Sequence, residues 1–128
     1  MNKDPYQLAQ EHLKRAQTAA WDPVDWVELS TFAFYCLEAA VMAAAAHVGY
    51  NVPPSHPAKA RAATDLARDH GLTDVSTLLY DLNAARKSSA YGDTAFPNLD
   101  AEDVVRELED YLDEVGTLLD ADDEEDDT

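Results

Sequence analysis

The chain has 128 residues with 26 acidic and 9 basic side chains, a formal net charge of −17, and that length bounds it to one domain with a sizeable core. Alanine and aliphatic residues dominate and glycine is scarce, a composition that favours an all-helical protein. The single cysteine, Cys36, excludes an internal disulfide and a two-cysteine metal site, and its apolar neighbours make it a small buried hydrophobe.

Asp4-Pro5 sets a cap residue before a proline at the first helical position, and predicts a first helix to about Ala20. Tyr6, Ala9, Leu13 and Ala16 share one of its faces. No apolar stretch of the kind a signal peptide needs follows Met1. Asp22-Pro23 repeats the start signal, with Asp25 favouring the positive helix end. The second helix is expected from Val24 to Val48. Trp26, Leu29, Phe32, Phe34, Tyr35, Leu37, Val41 and Met42 make it apolar around most of its circumference, so it is central or buried against a second subunit. Trp21 and Trp26 are expected as core or dimer contacts. Glu38 and His47 interrupt the apolar run, so the expectation is a soluble, cytoplasmic protein with no membrane span.

Gly49 suits the C-terminal cap of this helix, and Pro53-Pro54 forbids its continuation. A third helix is expected from Ser55-His56-Pro57 to His70-Gly71. Its first turns carry His56, Lys59 and Arg61, a basic spot that is either a solvated face or a phosphate site at a helix N-terminus. Thr73 is placed to cap a fourth helix, where Val75, Leu78, Leu79, Leu82 and Ala85 recur at helical spacing until Tyr91-Gly92. A loop with Pro97 follows. Asp100 with Asp103 then opens a fifth helix, with a stripe of Val104, Leu108, Tyr111 or Leu112, Val115 and Leu118. No strand-like alternation or phosphate-binding glycine loop occurs. An all-α, up-and-down bundle of four to five helices is the natural solution.

The acidity is local. Residues 1–99 carry 11 acidic and 8 basic side chains, whereas residues 100–128 carry 15 acidic and one basic. The domain is therefore expected over residues 1–119, with 120–128 a disordered acidic tail. Such a tail keeps molecules apart, or lures a basic protein surface by imitating nucleic-acid charge. The run from Asp122 to Asp127 lacks the alternating ligands and turn glycine of an EF-hand loop. His12 and His47 have no partner at metal-ligand spacing, and neither a metal nor a cofactor is expected.

Chemistry concentrates in Leu82-Asn83-Ala84-Ala85-Arg86-Lys87-Ser88-Ser89-Ala90-Tyr91-Gly92. Asn83 and Arg86, three apart, lie on one helical face. Arg86 offers a fork of donors that matches a phosphate, Asn83 can give or take a hydrogen bond beside it, and Lys87 adds charge. Tyr91, five residues on, stands about 140° around the axis in an unbroken helix. It converges with Arg86 only where the helix ends first or two copies meet. The plainer alternative has Arg86 and Lys87 complementing the helix dipole and Tyr91 packing in the core.

The order of elements, with Ser55-His56-Pro57 opening a helix and Asn83-Ala84-Ala85-Arg86-Lys87 running into Ala90-Tyr91-Gly92, resembles the HEPN domains of prokaryotes over most of residues 5–119. The resemblance implies a helical bundle that usually homodimerises, here through the second and fourth helices. It implies a role in bacterial or phage defence or a toxin–antitoxin pair, as a metal-independent ribonuclease or as an RNA- or nucleotide-binding partner of a nucleotidyltransferase. The family signature is an arginine, often a polar residue, then four to six residues and a histidine. Arg86 and Lys87 match its start, and Tyr91 stands where the histidine belongs. Tyrosine titrates near 10 and is a poor general base at neutral pH, so the resemblance implies a nuclease centre that is weak or absent. If cleavage occurs, Arg86 and Tyr91 are its candidates. Asn83, Arg86, Lys87, Tyr91, His56 and Lys59 are the candidate RNA- or nucleotide-binding residues. The competing expectation is a non-enzymatic acidic module that binds a basic protein.

Overall fold

A computed structural model of the chain describes residues 4–21, 23–91 and 97–126, with the side chains of 89–91 and 122–126 outside that description. The described residues form five helices and no strands: α1 (Pro5–Ala19), α2 (Trp26–His47), α3 (His56–His70), α4 (Ser76–Tyr91) and α5 (Ala101–Asp126). The all-helical bundle expected from the sequence is the fold.

Local chemistry sets the starts. Asp4 accepts from the Tyr6 amide at 3.2 Å, with Pro5 in the first turn. Ser55 accepts from the Ala58 amide, as its place before His56-Pro57 predicts. Asp100 accepts from the Asp103 amide at 3.1 Å. Two starts differ from expectation. Asp25, not Asp22, caps α2 by accepting from the Glu28 amide, so Pro23 precedes the helix rather than opening it. Thr73 does not cap α4. Its amide and hydroxyl both bind Glu114 of α5, and Asp74 accepts from the Ser76 amide instead. Gly71 ends α3 at φ +74°, and Gly49 follows α2 at φ +77°, backbone that a side chain would strain. At the other end, α5 continues to Asp126 rather than stopping before Asp120. Extending a formed helix adds one hydrogen bond per residue fixed, which favours running on through Ala121.

Helix α2 is the centre. It packs against α1, α3, α4 and α5, so most of its apolar surface is core, with Val27 and Tyr35 left exposed. Its length and hydropathy would suit a bilayer despite Glu38 and His47, but 72% of that stretch is covered by the other helices. Small residues allow close approach: Ala33, Ala40 and Ala44 of α2 and Ala9 and Ala16 of α1 are fully buried. Around them pack Leu29, Phe34, Leu37, Leu66, Leu82, Leu108 and Tyr111. Cys36 is wholly buried, and burial pushes its thiol up to about 12. Both Tyr111 and Leu112 face the core, at 1% and 4% exposure. Trp21 does not: it is 77% exposed at the end of α1, while Trp26 is half-buried.

Candidate functional site

The site is built on one turn of α2, and Phe34 is its hub. Ring contacts and ion pairing draw residues from α3 and α4 to this buried ring.

From α4 comes the pair expected from its spacing. Arg86 Nη2 donates to Asn83 Oδ1 at 2.6 Å. The guanidinium carbon sits 5.2 Å from the centre of the Phe34 ring and 5.9 Å from that of Tyr35, distances at which a cation is attracted to the aromatic face. Arg86 Nε is buried and has no hydrogen-bond partner among the described residues. A planar donor group stacked on rings and holding an unused N–H is suited to an oxygen-rich anion.

From α3 comes His56. Its ring meets Phe34 edge-on at 5.0 Å between centres. Both His56 and Arg86 thus lie about 5 Å from one ring, which bounds their separation at roughly 10 Å, the sum of the two distances. His56 Nδ1 is 2.6 Å from Glu38 Oε2, and Lys59 Nζ is 3.5 Å from Glu38 Oε1. Glu38 is 5% exposed, so its carboxylate is held in the bundle by two cationic or polar partners instead of water. A carboxylate only accepts, so Nδ1 carries the proton of this bond and Nε2 is the ring nitrogen that Glu38 does not engage. The His56 side chain is 48% exposed. A small cleft of about 50 Å3 adjoins it, lined by Phe34, His56, Tyr80 and Asn83 among others.

The cationic and aromatic residues continue along α2 toward α1. His12 lies 5.9 Å from Tyr35 and 5.7 Å from Phe32, and Arg15 sits 4.8 Å over the Phe32 ring. In a chain this acidic, a band running Arg15, Phe32, His12, Tyr35, Arg86, Phe34, His56 stands apart from the surroundings.

Four of the six residues marked in the sequence come together: Asn83, Arg86, His56 and Lys59. Within the basic spot at the start of α3, His56 and Lys59 both reach Glu38, while His56 stays half-exposed and Arg61 is exposed. Lys87 is exposed, and no contact joins it to the Asn83–Arg86 pair among the described residues. Tyr91 ends α4, and its side chain, like Gly92, lies outside the described residues. Phe34, Tyr35 and Glu38 were not marked as site residues. Glu38 did carry a signal: a carboxylate inside an apolar helix must find a partner when buried. No three described His, Cys, Asp or Glu residues converge closely enough to hold a metal ion. No protein-family model, curated protein or solved structure matches the chain.

Proposed function

We propose that this protein binds RNA or nucleotide phosphate at the Arg86 cluster, as a HEPN-like domain whose motif histidine is replaced by Tyr91. The observation that carries the reading is the seating of Arg86: stacked on Phe34 and Tyr35, bonded to the neutral Asn83, with a buried N–H unused. Guanidinium and aromatic groups side by side serve phosphates and unstacked bases together. Binding is the proposed activity. Cleavage, where detected, would be metal-independent and would use His56 Nε2 to accept a proton, the role the motif histidine has in the family it resembles. A defence or toxin–antitoxin setting and a homodimer through α2 and α4 belong to the same reading. The exposed Tyr35 and Tyr80 on those helices support the dimer.

The test is fluorescence anisotropy of labelled single-stranded RNA and transfer RNA in EDTA, with gel analysis of the same samples. Wild-type protein binds, Arg86→Ala abolishes binding, and truncation after Leu119 leaves it intact. Cleavage products that vanish in His56→Ala and persist in Tyr91→Phe assign the proton transfer to His56. Undiminished binding by Arg86→Ala overturns the proposal.

A second reading has an observation of its own. The solvent face of α5 is acidic, with Glu102, Asp103, Glu109, Asp110, Asp113 and Asp120 all exposed. An adaptor for a basic protein would use that face. It requires the reverse pattern: loss on truncation and indifference to Arg86→Ala.

A further inference from the structure

Helices α1 and α4 both pack on α2, yet make no close contact with each other among the described residues. A strip of α2 is left open between them, and two of its rings form a floor there. Tyr35, 36% exposed, lies 5.9 Å from the His12 ring of α1 and 5.9 Å from the Arg86 guanidinium of α4. One turn earlier, Phe32 meets His12 at 5.7 Å and carries the Arg15 guanidinium 4.8 Å over its ring. The result is a groove with an aromatic floor and an arginine on each flanking helix.

These two arginines differ from others in the chain. Arg68 and Arg106, exposed on α3 and α5, spend their guanidinium groups on Asp65 and Asp69 and on Asp103. Arg15 and Arg86 have no carboxylate partner among the described residues and rest on rings instead. This holds for Arg15 although Asp25 and Glu28, with Lys14, line the same hollow beside it. A guanidinium stacked on a ring keeps its fork of in-plane N–H donors available for a phosphate.

Different rings seat the two groups: Arg15 lies on Phe32, Arg86 on Phe34 and Tyr35, and His12 meets both Phe32 and Tyr35. The largest separation they can have is roughly 22 Å, the sum of the four contacts that join them. At the ~3.4 Å spacing of phosphates along a stacked strand, about six or seven nucleotides cover that distance. The floor between them offers ring faces to unpaired bases, which a duplex keeps stacked in its interior.

We propose that the α1–α4 groove holds a single-stranded oligonucleotide, with one phosphate on Arg86, a base stacked on Tyr35 and a further phosphate on Arg15. The proposal rests on the reading of Arg86 as a phosphate site and extends it. The ligand is a strand rather than a free nucleotide, and Arg15 is its second anchor.

Fluorescence anisotropy of a labelled RNA octamer and a labelled dinucleotide, both in EDTA, tests the proposal. The octamer binds about tenfold or more tightly than the dinucleotide. Arg15→Ala weakens octamer binding about tenfold, lowers the slope of log K against log salt by about 0.7, and leaves dinucleotide affinity unchanged. Tyr35→Ala weakens octamer binding about fivefold or more, whereas Tyr35→Phe keeps it. Arg68→Ala, which removes equal charge away from the groove, changes neither ligand. An octamer bound no more tightly than the dinucleotide, a duplex of the same sequence bound equally well, or equal weakening by Arg68→Ala overturns the proposal. So does a Tyr35→Ala variant that splits a dimer at unchanged octamer affinity, since the face is then an interface between copies. Octamer binding lost in Arg86→Ala but intact in Arg15→Ala removes the strand and leaves the Arg86 site standing. Indifference to Arg86→Ala removes both.

Discussion

His56 Nδ1 lies 2.6 Å from Glu38 Oε2, so a half-exposed histidine on α3 is fixed by a carboxylate buried in α2. This pair makes Glu38 a positioning residue, and stability and binding should respond differently to its replacement. Glu38→Ala strips the partner from His56 and Lys59 and opens a void, at a cost of about 2–3 kcal/mol. Glu38→Leu fills the same space without a charge to desolvate and should keep stability within about 1 kcal/mol of wild type. Both release His56. Urea unfolding and RNA anisotropy on the two variants should therefore show binding falling in each while stability falls only in the first.

Arg86 is seated on rings as well as charged, and lysine reproduces only the charge. Arg86→Lys should weaken RNA binding about tenfold, combining the lost fork with a cation–π contact of roughly 0.5–2 kcal/mol. The dependence of log K on log salt should not change, because the number of phosphates neutralised is the same. Wild-type affinity in the lysine variant would show that point charge alone binds.

Alkali should unfold the protein through groups that burial keeps protonated. The Cys36 thiol is raised from 9.0 to about 12 by burial. Between those values the unfolded chain has lost this proton and the folded chain has not, so stability falls as pH rises. The expected slope is about 1.4 kcal/mol per pH unit from this group. Tyr6, raised by burial and then by Asp113 and Asp120, and Tyr111 act in the same direction above pH 10. Cys36→Ala should flatten the first part of the decline in denaturant titrations, and native Cys36 should resist iodoacetamide until urea unfolds the chain.

Gly116 of α5 faces the Tyr6 hydroxyl, which donates to the Leu112 carbonyl at 3.1 Å. A Cβ at this position would stand 2.7 Å from that oxygen, so Tyr6 must move and surrender its bond. Losing one bond costs about 1 kcal/mol, close to the helix-propensity gain of alanine over glycine. Gly116→Ala alone should therefore change the melting temperature little. In a Tyr6→Phe background it should add about 1 kcal/mol, a coupling that a double-mutant cycle measures directly.

Much of the fold is written in neighbouring residues. Caps such as Ser55 and Asp100, the helix-ending Gly71, and the recurrence of Val104, Leu108 and Val115 act within a turn or two, and linear order exposes them. The Asn83–Arg86 bond belongs to the same class, because residues three apart on a helix meet wherever the helix goes. Long-range placement is different in kind. Whether an all-round apolar α2 faces the core or another subunit depends on how many helices surround it. That Thr73 binds Glu114 instead of capping α4 depends on the approach of α5, 41 residues away in sequence. His56 reaches Glu38 and Phe34, and Tyr35 meets both His12 and Arg86, only because each helix settles at one rotation about its axis. Helical period and capping come from short-range sterics and hydrogen bonding, so the chain specifies them locally. The rotations come from the summed packing of all five helices, which no single segment contains.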